Sequence, residues 1–299
     1  MASNGPLDVL SPKQRAVIAV VLLAIAGAVL AARGCRERER PPAPDSHGQT
    51  LANRNVRFGL PADAKPDPAS RDAYLIDRPQ YVLSYNDTTK NPNWVCWNLT
   101  ASDIGPAERD TSFEPDPELP PGFARVKPSD YTATGFDRGH MCASKDRSDT
   151  KENNNILFYM TNIVPQAPNN NQKAWRLLEE ECRSLAKKGN ELYIACGPHG
   201  RSGTGKDNTK HDFIGKGTKV EVPATVWKVI LVLPSKDAVP DAQTRAVAVW
   251  MPNDQTVGTD WKRYVVPVAE VERNTGYKFF PVVPDDVAHA IKSHADTGP

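Results

Sequence analysis

The chain has 299 residues, enough for one large domain or two ordinary ones, and its 39% hydrophobic and 24% charged residues suit a globular protein with a sizeable core. Formal net charge is +1, and the six basic and four acidic residues of 1–50 leave the remainder at −1. This excludes a protein that holds a polyanion by bulk attraction, so any contact with nucleic acid must come from a local cluster of charge.

Residues 1–15 are a short tail. Ala16 to Ala32, AVIAVVLLAIAGAVLAA, is uncharged between Arg15 and Arg33. Its seventeen residues span roughly 26 Å as a helix, the short end of what crosses a bilayer. The run is apolar on every face, so a transmembrane anchor is expected, with a signal peptide as the rival reading and a core helix behind both. Four arginines follow it against Lys13 and Arg15 before it, which argues for a cytoplasmic C-terminal part. Residues 33–72 are charged, rich in Pro, Ala and Asp, and lack hydrophobic periodicity, so they read as a semi-stiff linker to a domain over 73–299.

Within that domain, 81–85, 93–99, 156–160, 191–196, 226–233 and 246–250 read as strands, rich in Val, Ile and aromatic residues. Residues 101–130 read as a polar loop and 200–217 as a Gly/Lys-rich loop. Ala174, Trp175, Leu178, Cys182, Leu185 and Ala186 recur at helical spacing after Asn171, with Gly189 as a stop, and 285–294 suits a closing helix. Strands with irregularly interspersed helices predict an α+β fold.

Two short runs carry the chemistry. Thr134-Gly135-Phe136-Asp137-Arg138-Gly139-His140 places a histidine after an Asp-Arg-Gly turn, and Asn169-Asn170-Asn171-Gln172-Lys173-Ala174-Trp175 opens the helical stretch. Cutting a phosphodiester needs an attacking water, neutralised phosphate oxygens and a place for charge on the leaving oxygen. An imidazole that is mostly neutral at pH 7 suits the first task. A lone histidine is more often structural, and for His47, His199, His211, His289 and His294 that reading is adopted. Asn171 offers a neutral, hard amide oxygen suited to Mg²⁺, which keeps several waters and can be held by one protein ligand. Glu179 lies eight positions on, about 80° around a regular helix. It is placed to accept from waters around the ion, and Arg183 four positions further can pair with it. Gly203-Thr204-Gly205-Lys206 lacks the spacing of a phosphate loop, and no CxxC pair supports zinc.

The ordered set Asp137-Arg138-Gly139-His140, Thr161-Asn162-Ile163-Val164-Pro165-Gln166 and Asn171-Gln172-Lys173-Ala174-Trp175 with Glu179 and Arg183 resembles the DNA/RNA non-specific endonuclease family, a ββα-metal group. The resemblance runs from about Tyr81 to Ile291. It implies a mainly antiparallel sheet flanked by helices and a metal-dependent, sequence-non-specific endonuclease acting on DNA and RNA and leaving 5′-phosphates. His140 is then the general base, Asn171 the direct Mg²⁺ ligand (Mn²⁺ substituting), and Glu179 a ligand through water. Asn162 orients His140 or the ion's waters, Arg138 braces the site, and Arg109, Arg183 and Gln166 contact substrate. A homodimer also fits. A narrower phosphodiesterase of the same fold and a silent nucleic-acid-binding module are the alternatives. Lys173 is a minor departure from the family pattern.

Of the five cysteines (Cys35, Cys96, Cys142, Cys182, Cys196), Cys142 follows the histidine by two and Cys182 sits on the helix carrying Asn171. A Cys142–Cys182 disulfide would clamp the site, and Cys96 with Cys196 is a second pair to consider. Such bridges, and the harm a non-specific nuclease does to its own cell, place the domain outside the cytoplasm: periplasmic, extracellular, or in the intermembrane space of a mitochondrion.

Overall fold

The run TVWKVILVL, Thr225–Leu233, scarcely alternates, and from Val226 onward every side chain in it is buried. A strand covered on both faces reads this way, and this one lies at the centre of the fold. The computed structural model describes residues 52–109 and 111–298. The strands are β1 (Tyr74–Asp77), β2 (Val82–Asn86), β3 (Asn91–Leu99), β4 (Asp137–His140), β5 (Ile163–Gln166) and β6 (Glu191–His199). After them come β7 (Gly203–Thr204), β8 (Lys210–His211), β9 (Phe213–Ile214), β10 (Val220–Glu221), β11 (Thr225–Leu233), β12 (Arg245–Pro252) and β13 (Val265–Val266). The helices are α1 (Lys151–Ile156), α2 (Arg176–Lys187), α3 (Val268–Thr275) and α4 (Asp285–Lys292).

The main sheet runs β1-β2-β3-β6-β11-β12-β13 with every neighbouring pair antiparallel. The protein is therefore α+β around a central antiparallel sheet. Side chains alternate between the sheet's faces. Val226, Ile230 and Val232 join one apolar layer, while Trp227, Val229, Leu231 and Leu233 join the other. The first layer is covered by α2 through Leu178, Cys182, Leu185 and Ala186, together with Met141, Leu157 and Phe158. The second is covered by α3 and α4 through Val268, Val271, Ala288 and Ile291.

Three expectations need correction. The reading of 33–72 as a linker fails over its latter part, because Val56, Phe58, Leu60 and Ala64 are buried in the second layer. Asn55 is buried beside them, donating Nδ2 to the Pro79 carbonyl while its Oδ1 accepts from the Asn98 N–H at 3.0 Å each. Val56, Phe58, Leu60, Ala62 and Ala64 do recur at every second position, but the run is short and Gly59, Pro61 and Asp63 between them are residues of loops, so the alternation is masked by linker-like composition. Residues 33–51 of that stretch and the proposed span Ala16–Ala32 lie outside the described residues. Among the described residues no helix is long and apolar enough to cross a membrane.

The strand expected at 156–160 is instead the end of α1 and the turn after it. Thr150 caps α1 by accepting from the Asn153 N–H at 3.1 Å. Leu157 and Phe158 are apolar because they pack under the site, and a short apolar run does not distinguish these cases.

The disulfides are absent as well: Cys96, Cys142, Cys182 and Cys196 are free, buried thiols. Val95 faces Cys196 across the β3–β6 ladder while Cys96 faces Ala195, so Cys96 and Cys196 point to opposite sides of the sheet. Cys142 and Cys182 both lie in the first layer and pack there as small apolar groups. Burial raises the thiol pKa of both, that of Cys182 to about 12.

The site stands on a smaller unit. β4 and β5 form their own antiparallel pair, Asp137 facing Gln166 and His140 facing Ile163. Gly139 is required by close approach, since a Cβ there would lie 2.1 Å from Gln166 Oε1. A π-helical turn, Asn170–Trp175, follows β5 and runs into α2. Gly189, at φ +97°, closes that helix as expected. Hairpin and helix form the ββα element.

Candidate active site

His140, at the end of β4, is 8% exposed, and its ring is flanked by Phe113 and Phe158 with centroids at 5.4 and 4.7 Å. Its Nε2 is buried without a hydrogen-bond partner. Desolvation, and then the Arg109 charge, lower its pKa to about 3. The imidazole is therefore neutral at physiological pH, with a lone pair available.

Asn171 lies across the cleft on the π-helical turn. Its Nδ2 donates to Asp137 Oδ2 at 2.8 Å, and Gln172 Nε2 donates to the same oxygen at 2.8 Å. A carboxylate only accepts, so Asp137 decides which end of the carboxamide faces it. No hydrogen bond among the described residues takes the Asn171 Oδ1. Asp137, which the sequence reading placed only near the histidine, is thus the residue that orients the proposed ligand.

His140, Asn171, Glu179, Arg138, Arg109 and Arg183 line one cleft of about 470 Å³, which Lys145 and Arg176 also border. Arg138 donates Nη2 to the Pro128 carbonyl at 2.8 Å, and its guanidinium lies 5.2 Å over Phe113, the ring that also flanks His140. Arg109 is exposed and lies 5.6 Å over Phe158. These cations form the local positive cluster that a near-neutral chain needs in order to meet a polyanion.

Glu179 does not pair with Arg183 as the helical spacing suggested. Arg183 Nη1 bonds Asp146 Oδ1 at 2.9 Å, and Asp146 also accepts from Trp97 Nε1 at 3.0 Å. Glu179 Oε1 instead lies 3.9 Å from Lys228 Nζ. Lys228 is 1% exposed, with Nζ 4.1 Å over the Trp175 ring. Desolvation raises the Glu179 pKa to about 7, against a lowering by Lys228. The sequence held a signal for Lys228: a lysine inside an otherwise apolar strand is almost never buried without a partner.

Asn162 and Gln166 lie behind the cleft. The Asn162 Oδ1 accepts from the Cys142 N–H at 2.9 Å, while Nδ2 donates to the Cys142 and Leu157 carbonyls at 3.0 and 2.9 Å. This amide clamps the chain just past His140, with both of its N–H groups committed and the residue fully buried. Gln166 donates Nε2 to Asn170 Oδ1 at 2.6 Å and packs against Gly139. Neither amide is among the residues that line the cleft, and the hydrogen bonds each makes support the hairpin.

No group of three His, Cys, Asp or Glu side chains capable of holding a metal occurs among the described residues. A hard, largely hydrated divalent ion on one amide oxygen, with a carboxylate lining the same cleft, still fits Asn171 and Glu179.

An antiparallel hairpin followed by a helix, presenting a neutral histidine and a free carboxamide oxygen to one cationic cleft, defines a ββα site suited to phosphate esters. The chain belongs to the DNA/RNA non-specific endonuclease family, whose profile matches residues 60–286. It is 39% identical to a nuclease of Nostoc sp. over 92% of this chain and 97% of that protein. It is 31% identical to human mitochondrial endonuclease G over 76% of this chain and 73% of that one. Among solved structures, a chain of the EndoG/EndoGI complex, which concerns the mechanism of EndoG inhibition, superposes with a TM-score of 0.64 at 28% identity, covering 78% of this chain and 92% of that one.

Proposed function

We propose that the protein is a Mg²⁺-dependent, sugar-non-specific endonuclease that hydrolyses phosphodiester bonds in DNA and RNA and leaves 5′-phosphate ends. The observation that carries this reading is the shared cleft, which is lined both by an unpartnered neutral imidazole and by an amide oriented through Asp137. His140 takes a proton from the water that attacks phosphorus. Arg138 and Arg109 neutralise the phosphate oxygens, and a bound phosphate offsets the Arg109 charge that depresses His140. Asn171 would hold the ion, with Glu179 as the carboxylate available to its waters, and when bound a divalent ion such as Mg²⁺ or Mn²⁺ would supply positive charge for the phosphate and for the departing 3′ oxygen.

The test is to incubate the full chain with plasmid DNA and with RNA in Mg²⁺, Mn²⁺ or EDTA. Both polymers are cut with either metal and neither is cut in EDTA, while His140→Ala reduces the rate about 10²–10⁴-fold. Cleavage that persists in EDTA removes the metal, and an undiminished His140→Ala enzyme removes the base.

We propose further that residues 16–32 anchor the chain to a bilayer with the nuclease outside the cytoplasm. The uncharged run and the hazard to the cell's own nucleic acid support this. The free thiols withdraw the support that disulfides would have lent.

A further inference from the structure

The excursion between β6 and β11 is larger than a turn requires, and the chemistry described so far leaves it without a task. Phe213 in β9 is 41% exposed, the one aromatic among the exposed large apolar side chains of the described residues. The Arg201 guanidinium lies 4.9 Å over its ring. Glu221 holds that guanidinium in place, at 2.6 Å from Nη2 and 2.8 Å from Nε, and faces Phe213 directly across the β9–β10 ladder. An ion pair thus fixes a flat guanidinium on an exposed ring. The segment's arginine pairs with Glu221 and His211 Nε2 lies 3.1 Å from Asp207, which leaves the exposed Lys206, Lys210, Lys216 and Lys219 free of carboxylates among the described residues.

The excursion is also tied to the hairpin that carries the site. The Lys206 N–H donates to the Gly135 carbonyl at 2.9 Å, and the His211 ring stands edge-on to Phe136 at 5.6 Å. Thr218 N–H donates to Asp130 Oδ1 at 3.3 Å. Phe136 immediately precedes Asp137, the residue that orients Asn171.

We infer that residues 200–221 form a docking arm for single-stranded nucleic acid, in which the lysines follow the phosphates and Phe213 with Arg201 stacks an unpaired base. Every base has a π-face, so such a platform is sequence-tolerant, but a duplex keeps its bases stacked inside and cannot use it. The arm adds affinity for unpaired bases to the charge that the cleft cations already offer the phosphates. The inference rests on the nuclease reading for its substrate class.

The test uses the full chain carrying His140→Ala, kept in EDTA so that the slowed enzyme does not cut, and a labelled oligodeoxythymidylate read by fluorescence anisotropy at several salt concentrations. Adding Phe213→Ala raises Kd for a single strand of about twelve nucleotides roughly tenfold, and Kd for a duplex of that length less than about twofold. Arg201→Ala, whose side chain is 53% exposed, repeats the pattern and carries the test if Phe213→Ala lowers the melting temperature. Lys210→Glu with Lys216→Glu lowers the salt slope by roughly 0.7 for each phosphate that is no longer neutralised. Unchanged single-strand binding in both Phe213→Ala and Arg201→Ala, or equal weakening of strand and duplex, overturns the arm. If the wild type cuts neither polymer, the nuclease reading fails by itself. If it cuts while these variants bind as their parent does, only the arm fails.

Discussion

Asp137 carries more of the site than its place in the sequence suggests. With the Asn171 and Gln172 amides both donating to one of its oxygens, it fixes the carboxamide without touching an ion. Asp137→Asn removes that selection, because an amide partner accepts either orientation. The Mg²⁺ concentration for half-maximal cleavage then rises about 10–100-fold with the melting temperature little changed, as a Mg²⁺ titration of rate would show. The His140 shift gives a second expectation. Its folded pKa, about 3, lies below the ordinary 6.5. The unfolded chain therefore binds more protons between those values, and the stability His140 contributes is complete above pH 6.5. It is lost as pH falls toward 3, at up to about 1.4 kcal/mol per pH unit. Denaturant unfolding of the wild type and His140→Asn at pH 7.5 and 4.5 should show the wild type losing more on acidification. Equal losses would mean the ring is better solvated than its aromatic neighbours imply.

The hairpin is held by a contact between its strands that leaves no space for a side chain. Gly139→Ala forces a methyl into Gln166, whose Oε1 and Cβ lie 2.1 and 2.6 Å from the new atom. The expected cost is about 1–3 kcal/mol of stability and a fall in kcat as His140 shifts, read by denaturant unfolding and by steady-state cleavage. Gln166→Ala in the same chain should restore part of the activity, whereas no restoration would place the damage elsewhere. The helix shows what regular geometry misses. An offset of eight residues places Glu179 about 80° from Asn171 on a uniform α-helix. The stretch Asn170–Trp175 is instead a π-helical turn, in which each residue rotates less. Both side chains still reach one cleft, but the angle read from spacing does not describe how.

At the scale of the molecule, the sheet is closed on its second face partly by chain that reads as linker. Fully burying a Val, Leu or Phe side chain stabilises by roughly 1.5–3 kcal/mol. Val56, Phe58 and Leu60 together therefore approach the whole stability of a typical domain, about 5–15 kcal/mol. A chain begun at residue 73 should aggregate or melt far below one begun near residue 52, as thermal unfolding would show. Equal melting would mean the segment only rests on the sheet. Charge shows the same division between total and distribution. A net of +1 says nothing of Arg109, Arg138, Lys145, Arg176 and Arg183 meeting around one cleft.

Sequence alone determined what depends on neighbours along the chain. This covers five of the six apolar runs read as strands, the Gly189 stop, and the two short motifs that carry His140 and Asn171. Backbone geometry over a few residues is enough for these. Tertiary structure decided the partnerships between distant elements. Arg183 goes to Asp146, and Glu179 goes to the buried Lys228. Asn162 and Gln166 turn to the backbone and a neighbouring side chain, and the thiols stay apart. Strand register and layer packing set those contacts, and a register shift of one residue exchanges every partner across a ladder.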